Sequence, residues 1–249
     1  MELSEFFEKH PRAALAFSGG VDSAYLLYAA VQAGAQVRPY YVKTAFQPQF
    51  EYADALRLTR ELGVELTTLR LDVLEEKAIA DNPPNRCYFC KRKIFGAILS
   101  AARADGYPVV LDGTNASDRA DDRPGMRALE ELSVLSPLRL CGLTKVEVRR
   151  LSREAGLFTH DKPAYACLAT RIPAGRAITP GDLERTELCE AYLMKLGFSG
   201  FRIRLLGDCA RLQLPESQLP RLLEHRQEVL SVLKKHYPGV LLDLEVRDE

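Results

Sequence analysis

Six residues limit most strongly what this chain can become: Ser18-Gly19-Gly20-Val21-Asp22-Ser23, set between an apolar run at 13–17 and a helix-like stretch at 22–33. A strand that turns through paired glycines into a helix lets backbone approach a ligand where a side chain would block it. The helix start adds unpaired N–H groups and the positive end of its dipole, an arrangement that holds anions. Ser18 and Ser23 add hydroxyl donors. The dipole alone contributes only about 0.3–2 kcal/mol, so several N–H bonds have to act together. A Walker loop would close on Gly-Lys-Ser or Gly-Lys-Thr, and no such lysine follows here. The loop therefore suits a departing pyrophosphate better than a transferred terminal phosphate. A ligand-free turn is the competing reading of the two glycines taken alone.

Apolar runs at 13–17, 37–42, 65–71, 108–111 and 138–140 read as strands, and 22–33, 49–62, 91–104 and 145–155 as helices. That alternation is the pattern of parallel strands joined by crossover helices. An α/β fold with a doubly wound, mostly parallel sheet is expected. Past about residue 173 the rhythm changes. Thr179 caps a helix led by Pro180 and running to 196. A hairpin at 201–206 and 210–214 turns at Gly207-Asp208, and a helix at 216–235 and a strand at 240–246 follow. These form a smaller α+β domain. The 249 residues divide into domains at 1–165 and 166–249, with the joint in the loop-rich stretch 160–178.

Composition removes several classes. With 47% apolar and 27% charged residues, the chain is globular, neither disordered nor collagen-like. No run approaches about 18 apolar residues, and the opening MELSEFFEKH is acidic rather than signal-like. A cytoplasmic protein without a membrane partner is expected. Basic and acidic residues number 34 each, and both halves are nearly balanced, so nucleic acid is not an expected partner.

Six cysteines are too few for a disulfide scaffold in a chain of this length. Two of them lie in Asn82-Pro83-Pro84-Asn85-Arg86-Cys87-Tyr88-Phe89-Cys90-Lys91. The prolines oppose a helix upstream, so the helix at 91–104 is expected to start near Cys87. Cys87 and Cys90 then share one face of its first turn. A helix start beside Arg86 and Lys91 favours thiolates, the form that binds metal or attacks carbon. Ile94 and Ile98 prolong that face, so core packing is the competing reading. Zinc would require four Cys or His ligands, and His10, His160, His225 and His236 show no ligand spacing. A redox pair is a third possibility. Cys141, Cys189 and Cys209 fall on apolar stripes or at a strand start and read as structural.

The loop 18–23 after a strand resembles the signature of the PP-loop ATP pyrophosphatases, which cleave ATP between its α- and β-phosphates. The resemblance implies an adenylating enzyme that holds ATP beyond the strands' carboxyl ends. On that layout Lys43-Thr44 and Asp112-Gly113-Thr114-Asn115 are candidates to line the nucleotide pocket. A third stretch is more specific. Asp161-Lys162-Pro163-Ala164-Tyr165-Ala166-Cys167-Leu168-Ala169-Thr170-Arg171-Ile172-Pro173 closely resembles a signature of the LarE family. Arg123-Pro124-Gly125-Met126, Gly142-Leu143-Thr144-Lys145 and Arg202-Ile203-Arg204 extend the likeness over nearly the whole chain. It implies adenylation of a carboxylate of pyridinium-3,5-biscarboxylic acid mononucleotide and its conversion to a thiocarboxylate, on the way to a nickel-pincer nucleotide. One version of the family gives up the sulfur of a cysteine matching Cys167. The other holds a [4Fe–4S] cluster on three cysteines, matched here by Cys87, Cys90 and Cys167. The extra pair points to the cluster version, fed by an external sulfur donor.

A substrate with a phosphate and two carboxylates needs fixed cations. Arg202 and Arg204, two apart on a strand, face the same side and can each bind an anion through two bonds; Arg171 and Lys91 are further candidates. Mg2+ would offset phosphate charge, with Asp22 as a ligand or as an orienter of one. A homo-oligomer is expected. The rival reading is a tRNA thiolase built on the same phosphate loop.

Overall fold

The computed structural model describes residues 1–118 and 124–247. These fall into two compact units, the first made of Met1–Val73 with Asn85–Lys162 and the second of Leu74–Pro84 with the chain from Pro163 onward. The second unit thus borrows a short excursion from within the first. Arg123, which opens one of the motifs, lies outside the described residues.

In the first unit α1 (Leu3–Lys9) leads into β1 (Arg12–Ala16), α2 (Val21–Gln32) and β2 (Gln36–Lys43). Next come α3 (Gln49–Glu61) and β3 (Thr67–Arg70), then α4 (Lys77–Ala80), which belongs to the second unit. The first unit resumes with α5 (Arg86–Ala104), β4 (Val110–Leu111), α6 (Pro124–Glu131), α7 (Pro137–Leu140) and α8 (Lys145–Glu154). The strands run in the order β3-β2-β1-β4, and every pair is parallel.

Strand alternation places successive side chains on opposite faces, and both faces are covered. Ala13, Leu15, Tyr41 and Leu111 pack with Leu26, Leu27 and Val148 of α2 and α8. Ala14, Tyr40, Val42 and Val110 pack with Phe95, Ile98 and Met126 of α5 and α6. A parallel sheet buried on both faces is the doubly wound arrangement, and strand–loop–helix turns at its carboxyl ends become the natural ligand positions.

One expected strand is not a strand. Residues 137–140 form α7, and the sheet gains instead a single parallel bridge between Leu111 and Leu135. Pro137 is the reason: it has no N–H for a ladder, and its fixed φ suits the first turn of a helix.

The second unit contains α9 (Pro180–Lys195), the hairpin β5 (Arg202–Leu206) and β6 (Cys209–Gln213), α10 (Leu219–Glu224), α11 (Arg226–Leu233) and β7 (Val240–Leu242). Thr179 caps α9 by accepting from the Asp182 N–H at 3.1 Å. The strand β6 pairs antiparallel with β5 and parallel with β7. The continuous helix expected at 216–235 is broken into a 3-10 turn (Glu216–Gln218), α10 and α11. His225, at φ −90 and ψ 9, ends one helix and starts the next, a backbone setting outside the α region. The last strand is three residues long rather than seven, ending at Leu242. The excursion is tied in by buried Asn82: its side-chain amide donates to the Pro173 carbonyl at 2.8 Å, and its own carbonyl accepts from the Gly175 N–H at 2.8 Å.

Candidate functional site

The loop after β1 is organised by its own serines. The two hydroxyls of Ser18 and Ser23 lie 3.1 Å apart, the Gly20 N–H donates to Ser18 Oγ at 3.3 Å, and Ser23 Oγ donates to the Gly20 carbonyl at 3.2 Å. Ser23 is buried. The serines thus shape the loop as well as offering donors, while the first N–H groups of α2 stay outside the helical bonding scheme. Gly19 sits at φ +72, and a Cβ there would come within 3.2 Å of the Glu51 carbonyl and 3.3 Å of Ala55 on α3. A side chain at Gly19 is excluded twice, by backbone conformation and by space.

Gly113, after β4, does a related job from the other side. A Cβ on it would stand 2.9 Å from the Ser23 nitrogen and 3.2 Å from its Cα, so a glycine lets this turn lie against the start of α2. Gly113→Ala is expected to push the helix start away, lower stability by about 1–3 kcal/mol and raise the ATP KM. Gly96→Ala, where a Cβ meets nothing within 4 Å, is the control that should leave both unharmed. Denaturant unfolding and ATP titration of the two variants check this.

Asp22 is held by two partners. Lys145 reaches its Oδ2 at 2.5 Å, and the Asn115 side-chain amide reaches its Oδ1 at 3.3 Å. Lys145 is placed by a capping box in which Thr144 Oγ1 accepts from the Glu147 N–H at 3.3 Å and Glu147 returns a bond to the Thr144 N–H at 2.8 Å. Lys162 donates to the Gly19 carbonyl at 3.2 Å and pairs with Asp54 of α3 at 2.7 Å. Residue spacing did not reveal either lysine's place at the loop, although both stand inside motifs singled out in the sequence.

The other nucleotide candidates lie at the carboxyl ends of neighbouring strands and are bonded within their own turns. Lys43 donates to the Gln47 carbonyl at 2.5 Å, and Thr44, buried, donates through Oγ1 to Gln47 Oε1 at 2.8 Å. Thr114 Oγ1 donates to Asp112 at 2.5 Å, and Ser136 reaches the same carboxylate at 2.6 Å. A cavity of about 140 Å³ opens beside Ser18, lined by Phe17, Tyr40, Val42, Ile94 and Ile98 among others.

Cys87 and Cys90 lie in the first turn of α5, with Cys87 exposed and Cys90 half-buried. The Arg86 guanidinium contacts Cys87 Sγ at 3.7 Å. Ile94 and Ile98 do pack on the sheet, so only the outer end of the stripe is core. Lys91 follows on the same helix. None of the six cysteines is in a disulfide. Cys189 is fully buried, and burial pushes its thiol up to about 12, a neutral core side chain.

Cys167 belongs to the second unit and lies just before a 3-10 turn (Leu168–Arg171). Three arginines pin this segment by its carbonyls: Arg202 bonds Ala164 O at 2.5 Å, Arg171 bonds Ala166 O at 3.1 Å, and Arg204 bonds Thr170 O at 3.2 Å. Arg171, fully buried, also grips Glu190 of α9 through two bonds at 2.7 and 3.1 Å. Glu190 further accepts from Tyr165 Oη at 2.5 Å and the Ile203 N–H at 2.9 Å. One buried carboxylate therefore joins α9, β5 and the Cys167 segment. Its signal in the sequence is a glutamate in the otherwise inward stripe of Leu183, Thr186 and Leu193.

This cluster is electrically lopsided. Burial, and then Arg171 and Arg247, lower Arg202 to about 10; burial and the same neighbours lower Arg204 as well. Burial also opposes the charge of Arg171, but Glu190 outweighs it and the net shift is upward. The buried Nε of Arg204 makes no hydrogen bond among the described residues. An anion placed here would relieve repulsion between like charges and satisfy that donor.

Arg171, Arg202 and Arg204 are thus gathered around Cys167 in the second unit, while Lys91, Cys87 and Cys90 share α5 in the first. Among the described residues no three His, Cys, Asp or Glu side chains assemble to hold a metal ion. The α5 pair sets two sulfur atoms in one helical turn, the residue type a soft metal centre would use.

No protein-family model matches the chain. The pyridinium-3,5-bisthiocarboxylic acid mononucleotide synthase of Lactiplantibacillus plantarum is 31% identical over 94% of this chain and 86% of its own length. The chain belongs to the LarE family. An uncharacterized Synechocystis protein, slr1717, is 36% identical over 89% of this chain and 83% of its own. The tRNA-specific 2-thiouridylase MnmA of a Thermotoga strain is 27% identical over 59% of this chain and 53% of its own length. Like these LarE and MnmA relatives, the protein is a sulfur-transferring enzyme of the PP-loop ATP pyrophosphatase type. Among the described residues no helix is long and apolar enough to cross a membrane.

Proposed function

We propose that this LarE-family enzyme adenylates a carboxylate of pyridinium-3,5-biscarboxylic acid mononucleotide and replaces one of its oxygens with sulfur. The observation that carries the reading is the Cys167 segment, held by Arg171, Arg202 and Arg204 with a partly unmatched positive charge suited to a phosphate-bearing dicarboxylate. A carboxylate oxygen attacks the α-phosphorus of ATP, the bond to the β-phosphate breaks, and pyrophosphate leaves into the loop 18–23. A sulfur nucleophile at Cys167 then attacks the acyl carbon and AMP departs. ATP supplies the leaving group, Mg2+ offsets phosphate charge, and Ser18, Gly19, Gly20, Val21, Asp22 and Ser23 form the phosphate cradle. The cavity beside Ser18 is assigned to the nucleobase, with Lys43, Thr44 and Thr114 as flanking contacts; Lys91 joins the substrate cations.

The finer assignment makes Cys87, Cys90 and Cys167 the ligands of a [4Fe–4S] cluster. It rests on the thiol pair at the start of α5 beside Arg86 and Lys91 and on the family resemblance. Bound, such a cluster would supply a renewable sulfide. A second reading stands beside it, in which Cys167 surrenders its own sulfur by cleavage of its Cβ–Sγ bond, leaving dehydroalanine. Residence in the cytoplasm and assembly into a homo-oligomer belong to the same proposal; the outer edge of β7, with Leu241 and Leu242 exposed, could pair with a second copy. A tRNA substrate fits the even charge balance less well.

Anaerobic incubation with ATP, the mononucleotide and sulfide, followed by mass spectrometry, tests the proposal. Sulfur-for-oxygen replacement in the mononucleotide is expected. Iron and acid-labile sulfide in the protein select the cluster version, and loss of one sulfur from the polypeptide per turnover selects the sacrificial one. Neither product nor pyrophosphate would remove the assignment.

A further inference from the structure

We propose that Lys162 is the pyrophosphate-binding cation of the phosphate loop, doing from outside the loop what a Walker lysine does from within. The inference rests on the reading of the loop 18–23 as an ATP site and adds a residue to it.

A departing pyrophosphate carries several negative charges, and a helix start with backbone N–H groups offsets only part of them. The loop itself contributes an acid, Asp22, and no base. Chain folding brings two lysines to it. Lys145 is taken up by Asp22, at 2.5 Å, and so cancels the loop's own negative charge. Lys162 is different: its partner Asp54 lies on α3, outside the loop, and its ammonium also touches the loop backbone at the Gly19 carbonyl. An ammonium has three N–H donors. Two are used on Asp54 and Gly19, which leaves one for an oxygen arriving at the loop.

The lysine is also fixed in place. Its side chain is 14% exposed, and its ammonium lies 5.5 Å from the centre of the Phe50 ring. Its carbonyl is held by Arg149 at 2.8 Å; that guanidinium also bonds the His160 carbonyl at 2.6 Å, and the Lys162 N–H donates to Thr159 O at 3.0 Å. Arg149 therefore acts as a positioning residue, anchoring the backbone from which Lys162 reaches the glycine turn. Asp54 contacts the ammonium from α3 without occupying the loop.

Calorimetric titration of the full chain with inorganic pyrophosphate, ATP and AMP tests this. AMP is the informative ligand, since it lacks the phosphates that Lys162 would touch. Lys162→Gln is expected to weaken pyrophosphate and ATP binding by about 10- to 100-fold, the loss expected for one charged hydrogen bond, and to leave AMP binding within about twofold. Lys162→Arg should restore part of the loss, and Asp54→Asn should leave pyrophosphate binding intact or tighter. Equal losses for AMP and pyrophosphate in Lys162→Gln would mark a purely structural lysine and overturn the proposal. Unchanged pyrophosphate binding would overturn it too, leaving the assigned reaction standing. If the unaltered protein bound neither ATP nor pyrophosphate, the nucleotide reading itself would fall and this inference with it.

Discussion

Glu190→Ala should destabilise the second unit by about 3–5 kcal/mol, the usual cost of leaving one member of a buried ion pair without its partner. Arg171 is fully enclosed and its two bonds to Glu190 are its charge compensation. Removing the carboxylate also takes away the acceptor of the buried Ile203 N–H, a donor whose loss adds its own desolvation cost. Because Arg202 and Arg204 are already held against mutual repulsion with Arg171, the net charge of the cluster would become less tolerable still. Glu190→Gln keeps the volume and one acceptor oxygen but sets an amide NH2 against donors, and should lie between the parent and Glu190→Ala. Urea unfolding followed by far-ultraviolet circular dichroism measures both. A Glu190→Ala protein within about 1 kcal/mol of the parent would show that the carboxylate does not hold this segment together.

Cys167→Ala should abolish thiocarboxylate formation while leaving substrate-dependent pyrophosphate release within a few-fold of the parent. On the proposed reading the first half-reaction breaks a phosphorus–oxygen bond at the glycine loop and makes no use of a thiol, whereas the second does. On the cluster reading Cys87→Ala and Cys90→Ala are expected to lose product together with protein-bound iron, and on the sacrificial reading they keep product; Cys189→Ala should retain activity on either. The Cys189 thiol is enclosed and burial raises it to about 12, far from the thiolate needed for attack or ligation. Product formation by Cys167→Ala at an undiminished rate would remove this cysteine from the reaction.

Local signals in the sequence were the readable ones. The strand, glycine turn and helix around residues 13–33 could be read because apolar runs and glycines act over a few residues. The same holds for the α9 cap at Thr179 and the hairpin turn at Gly207. Residues 138–140 misled because three apolar positions carry no period of their own, and Pro137 decided the matter. The helix break at His225 had no breaker residue to announce it. At the site, the motifs named segments but not the partners of each side chain. Arg202 and Arg204 were legible as a same-side pair, yet their carbonyl partners Ala164 and Thr170 are more than thirty positions away. Lys145 and Lys162 reach the loop from 123 and 143 positions away, and Glu190 looks like any polar residue until its helix stripe is set against the core. Long-range pairing of this kind leaves no trace in spacing.

Pyrophosphate release under three conditions probes the account most directly: with ATP alone, with ATP and pyridinium-3,5-biscarboxylic acid mononucleotide, and with ATP and transfer RNA. The account predicts a burst only when the mononucleotide is present. Release stimulated by transfer RNA and indifferent to the mononucleotide would contradict it.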